Sequence, residues 1–259
     1  MKTINAKKIL LSCTIPLIAV AIASCDADGG FTEAPLIIDE SAAGIYTGTF
    51  TSTAGAEPVD YPVSGIISQL HNGQFIDAGS QWHYSGRLMV IGSDLSGTLI
   101  QYRGVQDRFF GIDGIDAITF AGRVAESDTI VADYTGVDDQ GSLSLAYDDS
   151  YETESSLDKT TGIWTFSGDA GYTVTLTIEF DGDIFGSDTN GCVYSGLISV
   201  LDGNYNAYRA VVLISECGLV NDEYNGLAFL SDFDGGVLNR LTLSVSNDVI
   251  AFVPILDKT

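Results

Sequence analysis

The reading of this chain turns on residues 182–196, Gly182-Asp-Ile-Phe-Gly-Ser-Asp-Thr-Asn-Gly-Cys-Val-Tyr-Ser-Gly196. An echo lies earlier. Phe75 through Tyr84-Ser85-Gly86 matches Phe185 through Tyr194-Ser195-Gly196 without a gap, and Gly44-Ile45-Tyr46 foreshadows Gly162-Ile163-Trp164. One β-rich unit used twice is the simplest account.

Outward from that stretch, residues 162–259 read as short strands separated by turns. Thr173, Thr175, Thr177 and Glu179 alternate with Val174, Leu176, Ile178 and Phe180. That period of two marks a strand with one wet and one buried face. Asp181-Gly182, Asp202-Gly203-Asn204 and Asn247-Asp248 supply turns. Gly162–Phe166, Cys192–Leu201, Tyr208–Ser215, Tyr224–Leu230, Arg240–Val245 and Val249–Ile255 fill the set to about eight. Residues 44–149 have the same texture. Strands are expected over Gly44–Ser52, Pro62–Leu70, Gln74–Ala78, His83–Ile91, Leu95–Arg103, Ala117–Ala125, Thr129–Thr135 and Ser142–Tyr147. Turns are expected at His71-Asn72-Gly73, where Asn-Gly suits a hairpin because both residues tolerate positive φ, and at Gly92-Ser93-Asp94. Hints of helix fall near 105–116 and 150–160, and the polar segment 150–161 reads as a linker.

Sequential strands with short turns make an up-and-down meander, and closing it removes both exposed edges. The expected fold is all-β: two tandem, sequence-related antiparallel β-barrels of about eight strands each. A barrel of that size holds either packed side chains or one small ligand.

Hydrophobic residues make up 45% of the 259 and charged residues 18%. That is enough apolar material for packed cores and too little charge for a disordered chain. Acids outnumber bases 35 to 11, a formal net charge of −24. So acidic a surface repels phosphate backbones and argues against nucleic acid as a partner. It suits a solvated exterior, a basic partner or divalent cations.

The chain begins as a secretory signal does. Lys2, Lys7 and Lys8 precede an apolar run, Ile9–Ala23, broken by Ser12, Thr14 and Pro16. The run is shorter than the ~20 apolar residues of a spanning helix. It ends Ile22-Ala23-Ser24-Cys25, which resembles the lipobox of bacterial lipoproteins: an aliphatic residue, two small ones, then cysteine. The resemblance implies a signal peptide over 1–24 and a diacylglyceryl group with an acyl chain such as palmitate on Cys25. It places the protein in the cell envelope, held on a membrane by those chains and facing the periplasm or the exterior. In that family an aspartate after the lipidated cysteine, here Asp26, often goes with the inner membrane, by a rule that varies among bacterial groups. Residues 25–43 read as the lipidated N-terminus and a tether, whose eighteen residues after Cys25 would span at most ~60 Å.

Besides Cys25, that mature chain has two cysteines, Cys192 and Cys217. Counted outward from the 202–204 turn, they come nearly opposite each other on neighbouring strands. An extracytoplasmic location favours a disulfide. A thiolate metal site is the alternative, in a half that has no histidine. Trp82 and Asp107 stand at the corresponding places of the first half, so the bridge is not duplicated.

Gly162-Ile163-Trp164 at the head of a meander resembles the Gly-X-Trp that opens lipocalin-like (calycin) barrels. The resemblance implies that Trp164 closes a barrel floor beneath a late arginine, with Arg240 the candidate. Tyr46 takes that place in the first half. Tyr46, Trp82, Tyr84, Trp164 and Tyr194 are the aromatic candidates to line a ligand site, and are core rings otherwise.

His71 and His83 are the two histidines, in no catalytic or metal spacing. Ser85 and Ser195 recur in Tyr-Ser-Gly, but a nucleophile needs an adjacent base. The recurrence points instead to backbone geometry at Gly86 and Gly196. Asp181, Asp183, Asp188 and Asn190, and separately Asp232 with Asp234, offer oxygens to calcium without matching the twelve-residue loop pattern. Such residues commonly serve turns. No metal and no cofactor beyond the lipid on Cys25 is expected. The resulting expectation is a non-enzymatic, lipid-anchored binding or envelope-structural module. Its partners would be the membrane and a protein or a small apolar or glycan ligand. The alternative is a carboxylate-based hydrolase, which needs only two acids at a suitable separation.

Overall fold

The computed structural model describes residues 39–77, 82–105, 108–111, 116–137, 139–232, 238–247 and 249–259. The expected signal segment and most of the expected tether, with Cys25 and Asp26, and likewise Asp107 and Asp234, lie outside these residues. β1 (Gly44–Ser52) pairs with β2 (Val59–Ile67), and hairpins continue through β3 (Asn72–Asp77), β4 (Trp82–Ile91) and β5 (Asp94–Val105). A short β6 (Arg108–Gly111) leaves the ring. Then β7 (Asp116–Ala125) pairs with β5, and β8 (Thr129–Thr135) leads to β9 (Gln140–Asp148), which closes on β1. The result is a closed eight-stranded antiparallel barrel.

The linker carries a 3-10 turn (Asp149–Glu152) and one helical turn (Leu157–Thr160). The second ring runs through β10 (Gly162–Ser167), β11 (Thr173–Ile178), β12 (Asp183–Asp188), β13 (Val193–Val200), β14 (Tyr208–Ser215), β15 (Asp222–Asp232) and β16 (Leu238–Ser246). A two-residue β17 (Ala251–Phe252) follows, and β18 (Ile255–Lys258) closes on both β16 and β10. It too has eight strands.

Alternation fills both interiors. Along β8, Ile130, Ala132 and Tyr134 are buried while Thr129, Val131, Asp133 and Thr135 face out, as the pleat requires. Phe50 stacks on Tyr84 at 4.6 Å and meets Phe120 and Tyr134 at 5.8 and 5.4 Å. Trp164, Tyr194, Tyr208, Tyr224 and Phe252 fill the second barrel, each under 2% exposed. Close strand approach is managed by glycine. A Cβ on Gly86 would sit 2.3 Å from the Thr98 carbonyl oxygen, and one on Gly196 only 2.0 Å from that of Val211.

Several local expectations are corrected. Of the stretch 105–116, the described residues 105, 108–111 and 116 are strand, not helix, with β6 pairing with β5. The β2–β3 turn falls one residue early: His71 takes the positive φ of 60°, and Asn72-Gly73 already belong to β3. The final stretch splits in two. Pro254, which lacks an N–H, stands between β17 and β18, and its carbonyl accepts from Leu243 N at 3.0 Å. The gapless echo also hides a slip. Ile76 pairs with His83, whereas Ser187 pairs with Val193, one residue closer. A one-residue slip reverses faces, so Phe75 is buried at 2% while Phe185 is 52% exposed.

The segment preceding β1 is seated on the first barrel. Asp39 Oδ1 accepts from Gly92 N, Glu40 N donates to Gly92 O, and Ala42 is fully buried. By its contacts, Ile37–Thr259 forms a single compact unit that holds both barrels.

Candidate functional site

The place where the molecule departs from two independent barrels is the joint between them. An outward side chain on a closed barrel is normally wet. Here Leu227 and Phe229 point out of the second barrel and are only 4% and 6% exposed. They pack with Ala207 against Ala43, Ile45 and Ile66 of the first barrel and Tyr151 of the linker. The backbone joins in, for β17 pairs with β6, so the sheet crosses from one barrel to the other. Asn206 binds the linker to β15: its Nδ2 donates to Ser150 O and Leu230 O, and its Oδ1 accepts from Leu230 N.

Beside this apolar contact runs a polar seam. His83 and Ser85 face outward from β4, opposite Ser244 and Ser246 of β16. His83 Nε2 lies 2.8 Å from Ser244 Oγ, and Ser244 Oγ donates to Gln74 Oε1 at 3.1 Å. Gln74 Nε2 and Ser246 Oγ both donate to Ser85 Oγ, at 2.8 and 3.0 Å. Tyr102 adds a hydrogen bond from its hydroxyl to Asn247 O. His83 Nδ1 is buried with no partner. The His83–Ser244 pair has the spacing of a base and nucleophile, but both side chains are sealed in the joint, at 5% and 3% exposure. A substrate has no path to the hydroxyl while the joint is closed.

At one edge of the joint is a groove of about 170 Å³, walled by Leu70, Tyr151, Leu201, Asp202, Tyr205 and Ala207 among others. Tyr205 stacks on Tyr151 at 4.9 Å. The Tyr151 hydroxyl is buried without a partner. Its pKa is raised, first by burial and then by Tyr205, Asp202 and Glu152, so it stays a neutral phenol.

The aromatic candidates fall elsewhere. Tyr46, Tyr84, Trp164 and Tyr194 are inside the barrels, at 0%, 4%, 0% and 1% exposure. Trp82 is half-buried at the start of β4, with the Arg103 guanidinium 5.9 Å from its ring centroid. The space beside Phe75, Leu99 and Phe120 in the first barrel is about 10 Å³, on the scale of one water molecule.

Cys192 and Cys217 form a disulfide just beyond the Val193–Ser215 pair. The Asp188 carboxylate reaches within 4.8 Å of both sulfurs. It accepts from the hydroxyls of Tyr172 and Tyr194 and from the N–H groups of Asn190 and Cys192. It works as a clamp on the β12–β13 turn. Asp181 and Asp183 stand at the opposite end of β12, where Asp181 Oδ1 accepts from Asp183 N.

The cation over the Trp164 ring is Lys258, 5.1 Å from its centroid. Arg240 instead pairs with Asp257 at 2.9 Å. The expected arginine is thus replaced by a lysine; the closed antiparallel rings themselves are consistent with a calycin-like barrel. Comparison with known families and with curated proteins finds no match to this chain.

The joint had a sequence signal that alternation obscures. Leu227-Ala228-Phe229-Leu230 is an unbroken apolar run, buried on both faces of β15, which is how a strand between two cores reads.

Proposed function

We propose that this chain is a lipid-anchored, extracytoplasmic, non-enzymatic module of the bacterial cell envelope, acting through the outer surface of two filled barrels. The observation that carries the reading is the fate of the interior rings. Tyr46, Tyr84, Trp164 and Tyr194 are spent on core packing, which leaves recognition to the exterior and the groove at the joint. The lipobox-like Ile22-Ala23-Ser24-Cys25 supports the anchor, and Asp26 favours the inner membrane. The Cys192–Cys217 disulfide fits an oxidising compartment. Membrane is the first partner; a protein, or an apolar or glycan ligand held at the surface, is the second. The hydrolase alternative asks for two acids in a groove, and the groove at the joint is walled by one, Asp202.

The test uses the full chain in a bacterial host fed a clickable palmitate analogue. Wild type is expected in the membrane fraction and labelled, and Cys25→Ala unlabelled. An unlabelled wild type whose intact N-terminus begins upstream of residue 25 sinks the anchor. Lipid recovered from inside either barrel sinks the filled-barrel reading.

A further inference from the structure

The joint between the barrels contains a buried imidazole, that of His83. His83 is in contact with both barrels. Its own strand puts it outward, and β16 of the other barrel covers it, leaving 5% of it exposed. The Ser244 hydroxyl has one hydrogen and donates it to Gln74 Oε1. Ser244 Oγ therefore accepts from His83 Nε2–H across the joint. That assigns the tautomer: the ring is neutral, with its free lone pair on Nδ1, which has no hydrogen-bond partner.

Among the described residues, the groups that face the ring are uncharged. From β3 come Gln74 and Ile76, the latter directly opposite in the strand pair. From β5 comes Tyr102, its ring 5.5 Å from the imidazole, and from β16 comes Ser244. Among the described residues no carboxylate stands against the ring to compensate for a proton, and burial pushes the imidazole down to about 3. A buried, unpaired charge is costly enough that the structure yields or the group stays neutral.

We propose that the joint is a proton-operated catch: His83, neutral, closes the two barrels on each other, and a solvent proton taken up at Nδ1 holds them apart. When the joint opens, the ring reaches water and regains an ordinary affinity for protons, near pH 6.5. The sign follows from linkage. Between the two values the open form binds one more proton than the closed form. The catch is therefore at full strength above about pH 6.5 and weakens as pH falls, by about tenfold per unit once below about pH 6, until the closed ring itself titrates. At pH 4.5 opening is favoured about 100-fold over neutral pH. Opening uncovers Ile66, Leu227 and Phe229, an apolar face that neutral conditions hide. An envelope protein would then offer a different surface in acid surroundings.

Hydrogen exchange followed by mass spectrometry tests this on the full chain, with rates corrected for the intrinsic pH dependence of amide exchange. Peptides covering Trp82–Ile91 and Leu238–Ser246 are expected to open about 100-fold more at pH 4.5 than at pH 7, and those covering Thr173–Ile178 far less. His83→Gln, which keeps a donor toward Ser244, is expected to flatten the response, and His71→Gln to leave it intact. An identical acid response in His83→Gln overturns the proposal, because carboxylates would then be its source. If that variant does not fold, the wild-type ring decides by NMR of labelled imidazole. Titration of His83 near 6.5 with unchanged protection at the joint overturns the proposal. A ring neutral to below pH 4 while closed, with protection at the joint lost in acid, supports it.

Discussion

Tyr46 and Trp164 occupy one station in two barrels. Each is fully buried on the first strand of its ring and donates to the carbonyl four residues upstream, Tyr46 to Ala42 at 3.1 Å and Trp164 to Thr160 at 2.6 Å. The ring packs in the core, and the polar atom at its tip holds the chain that enters the barrel. Phenol and indole differ in size, yet both meet the demand that a buried donor be paired.

Removing that donor is a direct measure of that hold. Tyr46→Phe keeps the ring and is expected to cost about 1 kcal/mol. Trp164→Phe shrinks the ring, strands the Thr160 carbonyl and loses the Lys258 contact, and is expected to cost about 3 kcal/mol. Urea unfolding with the disulfide intact reads both. A Trp164→Phe variant as stable as wild type would refute the equivalence.

The glycine of the second Tyr-Ser-Gly motif, Gly196, and the turn glycine Gly203 make a sharper contrast. A Cβ on Gly196 meets the Val211 carbonyl oxygen at 2.0 Å, which only a backbone shift relieves, while one on Gly203 meets nothing within 4 Å. Gly196→Ala is expected to destabilise by about 3 kcal/mol or more. Gly203→Ala is expected to be neutral or to stabilise by about 0.5 kcal/mol, through a less free unfolded chain. Thermal melts of the pair should diverge in that order.

The disulfide closes a loop with a sequence separation of 25. Constraint of the unfolded chain by a loop of that size is worth about 3 kcal/mol. The double variant Cys192→Ala with Cys217→Ala should lose about that much in urea, and reductant should then have no further effect. Wild type should respond to reductant by the same amount.

Alkali should act through buried tyrosines. Tyr224 is pushed up to about 12, first by burial and then by Asp222. Tyr46, Tyr84 and Tyr194 are raised as well, burial leading in each case. The folded state keeps protons that the unfolded state releases above about pH 10, so stability falls as pH rises past that value. These phenols should show no tyrosinate absorbance until the fold breaks, and then ionise together with loss of circular dichroism. Gradual, independent ionisation would contradict their burial.

Much of this was legible one strand at a time. The alternation of Thr173–Phe180 names the buried face of β11, and the spacing of Cys192 and Cys217 about the 202–204 turn anticipates their bond. What strand-by-strand reading missed lies at contacts between distant segments. Lys258 and Arg240 are eighteen residues apart, and sequence gives no reason to seat the lysine rather than the arginine over Trp164. His83 reads as a residue at the start of a strand; only β16, 161 residues away, makes it a buried one. Likewise nothing in the match between Phe75 and Phe185 tells that a hairpin one residue shorter turns the second ring to solvent.

The amino-acid order alone determined the class of fold, the doubling and the closed meander, because alternation, turns and recurrence are local and repeat every few residues. The tertiary structure alone decided that Tyr46, Tyr84, Trp164 and Tyr194 are interior rings and that the barrels share a joint. Packing of such rings depends on whether side chains from all eight strands meet around them. Burial of an outward face depends on which other surface arrives to cover it. Both are sums over residues far apart in the chain, and no short stretch contains them.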